Sequence, residues 1–166
     1  PGRQIVTEER LELLCLTRDA EIPDGLPAET AVNRIREVGG VPVLTWAVGK
    51  WLFGRAKVVR HLLDAFGPDE LLVGDSAMRP LFWPTPQPMR FARSHGYTIL
   101  AGTDPLPASG EERVMGSYAS LLDATFDPQD ARASLRGALL RSNTNARSVG
   151  RRSGVITFFQ RMLNSR

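Results

Sequence analysis

The sequence predicts an α/β fold in which parallel strands alternate with helices and a helical tail follows. Three observations support the prediction: three short apolar runs rich in β-branched residues, two helix-like segments between them, and glycine or proline at the boundaries. The strands are Val41–Ala47, Glu70–Gly74 and Tyr97–Ala101, and the helices between them are Arg55–Phe66 and Met89–His95. Alternation of this kind is typical of βαβ units and a parallel sheet.

The residues before the first of these strands predict a hairpin and a helix. Arg3–Thr7 and Leu11–Arg18 are short β-type runs separated by charged residues, a spacing that suits two antiparallel strands. Pro27 fits the first position of a helix, and the apolar residues after it recur at helical spacing until Gly39-Gly40 ends the segment.

The residues after the third strand predict one further strand and two helices. Ser117–Phe126 is strand-like, and Pro128–Arg141 has the pattern of a helix for which Asp127 is the predicted cap. Ser142–Gly154 is polar and contains glycine, so we expect it to be mobile. Val155–Leu163 is the last predicted helix. The apolar side chains that we expect it to pack against the body are Ile156, Phe159 and Leu163.

Length and composition limit the classes of protein to which this chain can belong. The chain has 166 residues, 42% of them hydrophobic and 23% charged, which fits ordinary globular composition. We assign residues 1–128 to an α/β domain and residues 129–166 to a basic helical tail that packs on it. No apolar run approaches the roughly 18 residues of a membrane span, and no signal peptide is recognisable, so we expect no membrane partner. The single cysteine, Cys15, cannot form an internal disulfide, which predicts a reducing, cytoplasmic location.

Charge is unevenly distributed along the chain. Residues 1–128 contain 13 Lys and Arg against 17 Asp and Glu, whereas residues 129–166 contain 8 Arg and one acid, Asp130. A basic tail of this kind is suited to nucleic acid or to an anionic surface. Its arginines are scattered and few aromatic rings lie among them. A solvated arginine-rich helix is therefore the favoured interpretation, and nucleic-acid binding through the tail is the less favoured one.

The carboxyl ends of the three predicted parallel strands define the candidate site. Parallel strands joined by right-handed crossovers end at one edge of a sheet, and ligands bind at this edge in open α/β sheets and in (β/α) barrels. The residues that the sequence places there are Trp46, Lys50, Asp75, Arg79, Asp104 and Glu111. The loops that follow two of the strands are long and polar, as functional loops often are.

Two aspartates at strand ends, Asp75 and Asp104, are the predicted catalytic and metal-binding residues. Carboxylate oxygens suit a divalent ion such as Mg²⁺, Mn²⁺ or Zn²⁺, which would activate water. An equally weighted structural interpretation is that each aspartate caps the turn after a strand-terminal glycine. Neither His61 nor His95 reaches the predicted edge, which disfavours a histidine-rich zinc site and a Ser-His-Asp arrangement.

Basic residues at the same edge favour a small anionic substrate. Lys50 and Arg79 are predicted to bind a phosphoryl or carboxylate group, and Trp46 and Glu111 complete the predicted substrate-binding residues. The Gly-Lys pair that includes Lys50 is not a phosphate-binding loop, because Trp51 stands where a Ser or Thr would bind magnesium. Solvated surface charge is the structural interpretation of the same basic residues.

Several segments together resemble the polymerase and histidinol phosphatase (PHP) superfamily. The similar segments are Pro1–Thr7, the strand Leu11–Leu16, the Asp24-Gly25 turn, Gly39–Val43 and Gly102-Thr103-Asp104. The resemblance implies a TIM-like (β/α) barrel and a metal-dependent phosphoesterase. In this family, histidines and acids at the carboxyl edge of the barrel hold the metal ions.

The sequence departs from the family pattern at the expected ligand positions. Gln4 replaces a metal-binding glutamate, Trp46 stands in place of a strand-end histidine, and no histidine follows Asp104. The His-x-His segment that opens the family's barrel is absent, and the chain starts at Pro1 without a methionine. We therefore expect a preceding half-barrel in the same polypeptide, and the resemblance implies a hydrolase lineage whose metal site is degenerate.

The second hypothesis is a non-catalytic α/β domain that binds a small anion or a sugar. The missing histidines support it. The aromatic residues near strand ends that would form a wall of the site are Trp46, Trp51, Phe82 and Trp83. Lys50 and Arg79 would contact an anionic ligand, and lid packing is the structural interpretation of the aromatic residues.

Overall fold

The computed structural model describes residues 2–141 and 146–164, which form two β-sheets and five α-helices. The larger sheet contains β1 (Gly2–Val6), β2 (Glu12–Leu16), β3 (Val41–Thr45), β4 (Leu72–Ser76) and β5 (Ile99–Gly102). The smaller sheet contains β6 (Tyr118–Leu121) and β7 (Arg147–Gly150). The helices are α1 (Ala28–Glu37), α2 (Gly54–Ala65), α3 (Gln87–Ser94), α4 (Ala131–Leu140) and α5 (Val155–Asn164), and a short 3₁₀ helix spans Glu111–Val114.

The larger sheet is mixed, and its strands follow one another in chain order from β1 to β5. β1 pairs with β2, and β2 with β3, in antiparallel register, whereas β3, β4 and β5 are parallel. Each parallel pair is joined by a helix, α2 or α3, because a parallel neighbour requires a long crossover connection. The carboxyl ends of β3, β4 and β5 therefore lie at the same edge, next to the start of β2.

The prediction of a TIM-like barrel is wrong. The sheet is open, with β1 and β5 as its two edges, and its first two pairings are antiparallel. A barrel of this type needs every strand to be parallel and the edges to pair with each other. The helical crossovers generate parallel pairing only from β3 onward, so the parallel part is limited to three strands.

One face of the larger sheet packs against helices α1, α2 and α3. Residues alternate between the two faces of a strand, and the side chains of Leu13, Leu44 and Val73 point to this side. They pack against apolar faces of the helices, including Ile35 of α1 and Leu62 of α2, which have no exposed surface. This side contains the main hydrophobic core of the protein.

The other face of the sheet is covered only in part. Leu139 of α4 packs against Val41, Val43 and Leu72 at the end where β3 and β4 begin. The two-stranded β6–β7 sheet lies beside β5, where the Ala101 N–H donates to Ser120 Oγ at 2.7 Å. Nearer the carboxyl ends of the parallel strands this face remains open, and the opening forms the cleft described below.

The C-terminal segment differs from its prediction in three respects. Asp130, rather than Asp127, caps α4 and accepts a hydrogen bond from the Ala133 N–H at 3.1 Å. The segment predicted to be mobile contains β7, and its residues 142–145 lie outside the described residues. In helix α5 the side chains of Phe158 and Arg161 are buried, and the side that was predicted to pack against the body is not. The residues predicted to pack but found exposed are Ile156, Phe159 and Leu163.

Candidate ligand-binding cleft

A cleft of about 220 Å³ opens on the partly covered face of the larger sheet. Its floor is aliphatic and is formed by side chains of neighbouring strands, namely Leu14, Leu16, Val43 and Leu100. Polar side chains surround this floor, and they are Gln4, Glu12, Thr45, Asp75, Ser76 and Asp104. The cleft thus offers an apolar surface for the body of a ligand and hydrogen-bonding groups at its rim, which is a common design of small-molecule sites.

Close backbone packing helps to open the cleft at its centre. Gly74 of β4 lines the cleft, and a Cβ atom at this position would lie 2.8 Å from Cγ2 of Thr45 on the neighbouring strand. A side chain here would therefore push β3 and β4 apart and fill the floor of the cleft. The sequence pattern marked this glycine as a strand end, whereas the structure shows that it lets β3 and β4 approach closely and leaves the cleft open.

Asp104 presents its carboxylate to the cleft from a strained backbone position. Its φ angle of 51° lies in the left-handed region, which non-glycine residues other than Asn and Asp rarely adopt. Ser76 Oγ donates to Asp104 Oδ2 at 2.9 Å, and the Met78 N–H donates to Ser76 Oγ at the same distance. Burial of the carboxylate raises the pKa of Asp104, and the hydrogen bond from Ser76 opposes this shift. The structure thus places Asp104 at the cleft, as the sequence predicted.

Asp75 lies beside the cleft but is committed to a buried ion pair. Arg79 Nε donates to Asp75 Oδ1 at 2.7 Å, and Arg79 Nη2 donates to Oδ2 at 2.6 Å. The Tyr118 hydroxyl also donates to Oδ2, at 3.0 Å. Both residues of the ion pair are at least 95% buried. Burial, together with the neighbouring Asp75 charge, raises the pKa of Tyr118, which keeps this hydroxyl protonated as a donor.

Glu12 and Lys50 form an ion pair at the rim of the cleft, opposite the end of β3. Their side chains are 19% and 29% exposed, so the pair is accessible to a ligand in a way that the Asp75 pair is not. Thr45 Oγ1 donates to the Glu12 carbonyl at 2.9 Å and holds the start of β2 against β3. Glu12 was not among the predicted site residues, because the antiparallel pairing that brings it to this edge was not part of the predicted parallel sheet.

Glu111 does not face the cleft as a substrate-binding residue. It is buried and forms an ion pair with Arg161 of α5, whose Nε donates to Glu111 Oε1 at 2.8 Å. The Leu106 N–H donates to Glu111 Oε2, also at 2.8 Å. The hydrogen bonds from Arg161 lower the pKa of Glu111, against the opposing effect of burial. This pairing links the loop after β5 to the C-terminal helix.

The predicted aromatic wall is largely part of the protein interior. Trp46 and Trp51 are each 3% exposed, and Trp51 Nε1 donates to the Thr45 carbonyl at 3.0 Å. Trp46 packs edge-on against Trp83 with 6.2 Å between ring centroids, although part of Trp46 still lines the cleft. Phe82 is 53% exposed but does not line the cleft. The lid-packing interpretation therefore describes these residues better than a ring-stacking surface.

The acids at the cleft do not fit a resident divalent metal ion. Both oxygens of Asp75 already accept hydrogen bonds from Arg79, so of the two predicted ligands Asp104 is the one that forms no ion pair with the described residues. Within residues 2–141 and 146–164, no three His, Cys, Asp or Glu side chains are grouped so that they could hold a metal ion. Structural metal sites generally use several protein ligands at once, and a single carboxylate is a poor substitute.

Comparison with known proteins leaves the chain without an assigned family. No protein-family model matches the sequence, and no curated protein matches it either. The resemblance to the PHP superfamily therefore stays a prediction. Helices long and apolar enough to cross a bilayer are not found in the part of the chain that the structure describes.

Proposed function

We propose that this chain is a small-molecule-binding domain whose cleft takes a ligand with an aliphatic body and a cationic, hydrogen-bond-donating end. The observation that supports the proposal most directly is the composition of the cleft lining. Three acidic residues, Glu12, Asp75 and Asp104, lie along it above an aliphatic floor, and Asp104 is the one that forms no ion pair with a described residue. Among the described residues that line the cleft, no Lys, Arg or His is present.

Asp104 is the group that would contact the cationic end. Only one of its carboxylate oxygens, Oδ2, accepts a hydrogen bond from the described residues. The other oxygen is available to an ammonium or hydroxyl donor, and a charged hydrogen bond of this kind is about twice as strong as a neutral one. Partial burial would strengthen the interaction further, because water screens it less.

The expected anionic ligand is less well supported by the site than a cationic one. Lys50 pairs with Glu12, and Arg79 is fully engaged with Asp75 and the Trp83 carbonyl. An anion would have to displace one of these carboxylates and enter a cleft lined by acids. Such like-charge contacts oppose binding, especially where the groups are partly desolvated.

Binding can be tested with three probes of similar shape and different charge. We would titrate n-butylamine, 1-butanol and sodium butyrate into isotopically labelled protein at about pH 8, where ordinary carboxyl groups are ionised and amines are protonated. The expected result is that butylammonium shifts the NMR signals of Leu14, Val43 and Leu100 at the lowest concentration. Butanol should shift the same signals only at a higher concentration, and butyrate should leave them unchanged.

A pair of variants assigns the interaction to Asp104. The substitution Asp104→Asn should weaken butylammonium binding about tenfold, because a charge-assisted hydrogen bond is lost. Asp69→Asn is the matched control, since Asp69 is an exposed carboxylate in the turn before β4, at the other end of the sheet. Tighter binding of butyrate than of butylammonium, or no cleft signal shifted by any probe, would refute the proposal.

A separate NMR titration with Mn²⁺ tests the metal-dependent hydrolase lineage that the PHP resemblance suggests. Mn²⁺ broadens NMR signals close to its binding site. Selective broadening at Gly102 and Asp104 that is lost in Asp104→Asn would favour the hydrolase hypothesis over the binding domain. Uniform weak broadening would leave the small-molecule proposal as the better one.

We also propose a cytoplasmic location, supported by the state of the cysteine. Cys15 is free and has no exposed surface, and its thiol donates to the Arg18 carbonyl at 3.4 Å. Burial raises the pKa of this thiol, which makes it a packing residue rather than a nucleophile. Cell fractionation of the natural protein tests the location, and recovery from a secreted fraction would contradict it.

A further inference from the structure

Asp104 needs support from its neighbours to keep its position in the cleft. Its left-handed backbone conformation costs free energy in any residue with a side chain, and such positions persist only where surrounding contacts hold them. The hydrogen bond from Ser76 fixes one carboxylate oxygen but leaves the backbone free. A second contact, made to the backbone itself, is provided by Arg161.

Arg161 of α5 connects Asp104 to three other segments. Arg161 Nη2 donates to the Asp104 carbonyl at 3.0 Å, and Nη1 donates to Ser153 Oγ at 3.2 Å. Nε and Nη2 together hold both carboxylate oxygens of Glu111. The side chain is 94% buried, so these bonds are shielded from water. Arg161 therefore contacts the loop after β5 at two points, Asp104 and, seven residues later, Glu111. The Leu106 N–H also donates to Glu111, which connects the two points within the loop.

We propose that Arg161 is a positioning residue for the ligand site: through the Asp104 carbonyl and Glu111 it fixes the loop after β5 so that the Asp104 carboxylate meets Ser76 in the cleft. This inference rests on the proposed function for its ligand, but its geometric part stands without one. The planar guanidinium is suited to the task, because its fork can bind a carboxylate in two places while a remaining N–H reaches a carbonyl. A lysine has the same charge and cannot reproduce this geometry.

The competing interpretation is that Arg161 only anchors α5 to the body. Both interpretations predict lower stability when Arg161 is changed, so stability alone does not distinguish them. Both also predict a shift of the Asp104 backbone signals, because the hydrogen bond to the Asp104 carbonyl is lost in either case. Only the positioning role predicts a change at the Asp104 carboxylate in protein that is still folded. The other charges near the Asp104 carboxylate are those of Glu12 and Lys50, and they are the same in all of the variants below.

The test compares Arg161→Lys with wild type by NMR at fixed pH. Positioning predicts that the carboxyl-carbon signal of Asp104 moves away from its wild-type value, while signals of the main core remain. It also predicts that butylammonium affinity falls about tenfold, as in Asp104→Asn. Arg147→Lys is the control, because Arg147 is an exposed arginine of the same basic segment and undergoes the same exchange. It should alter neither the NMR signals of Asp104 nor the butylammonium affinity.

Two results would overturn the proposal. One is an Arg161→Lys protein with an unchanged carboxyl-carbon signal of Asp104, which would leave Arg161 as an anchor only. The other is a shift of the Asp104 signals in Arg147→Lys as well, which would show that the effect is not specific to Arg161. If Arg161→Lys does not fold, Ser153→Ala removes a single bond of Arg161 and is read in the same way. The signals of Asp104 are measured without ligand, so failure of butylammonium to bind wild-type protein would refute the proposed function alone.

Discussion

At the scale of single residues, the fate of each predicted site residue depended on its partner. Asp104 lies at the cleft, and one of its carboxylate oxygens accepts no hydrogen bond from the described residues. Asp75 instead forms an ion pair with Arg79, four residues later. The two aspartates look equivalent in sequence, since each follows a β-strand and precedes a long loop. Their difference arises because Arg79 can fold back onto Asp75, and no basic residue follows Asp104 at a comparable distance.

The buried Asp75–Arg79 pair gives the first prediction about stability. Arg79→Met should lower the free energy of unfolding by about 3–5 kcal/mol, because it leaves the buried carboxylate with no opposite charge. Urea denaturation measures the effect. Arg34→Met is the matched control, since Arg34 forms an exposed ion pair with Glu37 and should cost no more than about 1 kcal/mol. Similar losses in the two variants would show that the buried pair contributes no more than a surface pair.

At the scale of elements, α4 decides how much of the second sheet face remains open. Its inward side chains, Ala138 and Leu139, cover the end of the sheet where β3 and β4 begin, and they leave the opposite end uncovered. A short helix with only two buried residues cannot cover a five-stranded sheet. The cleft is therefore the part of this face that α4 does not reach.

The attachment of α4 gives a prediction with a control on the same helix. Leu139 is 3% exposed, so Leu139→Ala should cost about 2–5 kcal/mol of unfolding free energy through lost contacts and an unfilled cavity. Leu135 is 40% exposed, and Leu135→Ala should cost less than about 1 kcal/mol. Thermal or urea unfolding gives both values. Equal small losses would mean that α4 is not packed on the sheet in solution.

At the scale of the whole molecule, two carboxyl groups act on stability in opposite directions as pH changes. The pKa of Glu111 is lowered by Arg161, so its contribution is present above the unfolded value of about 4.3 and is lost as pH falls through the folded pKa. The pKa of Asp104 is raised by burial, so its contribution is present at low pH and is lost as pH rises. The first links α5 to the loop after β5, and the second belongs to the cleft.

The contribution of Glu111 can be isolated by measuring unfolding free energy from about pH 3 to pH 7 in wild type and in Glu111→Gln. The variant should be less stable near neutral pH, and the difference should shrink as the solution is acidified, because protonated Glu111 resembles glutamine. Subtracting the two curves removes the other carboxyl groups. A difference that does not change with pH would mean that the Glu111–Arg161 pair has no ionic contribution.

Much of the element order was predictable because it depends on local patterns. Proline at the start of α1, glycines at its end, and apolar faces at helical spacing in α2 all act within a few residues. The cap of α4 was misplaced by three residues because Asp127 and Asp130 are both good cap residues, and local chemistry does not choose between them. The predicted inward side of α5 was wrong because the buried Arg161 lies on the same side as Phe158, and the other apolar side chains face outward.

The α/β alternation of the central segment, and the position of Asp104 just after the last parallel strand, follow from local sequence patterns. Contacts between segments far apart in the chain determine that the sheet is open and mixed, that Glu12 joins the cleft, and that Lys50 and Glu111 pair with other side chains. The two kinds of feature differ in the sequence separation of the residues that form them. Strand and helix formation follows from neighbours along the chain, whereas pairing of charges depends on residues such as Glu111 and Arg161 that lie 50 positions apart.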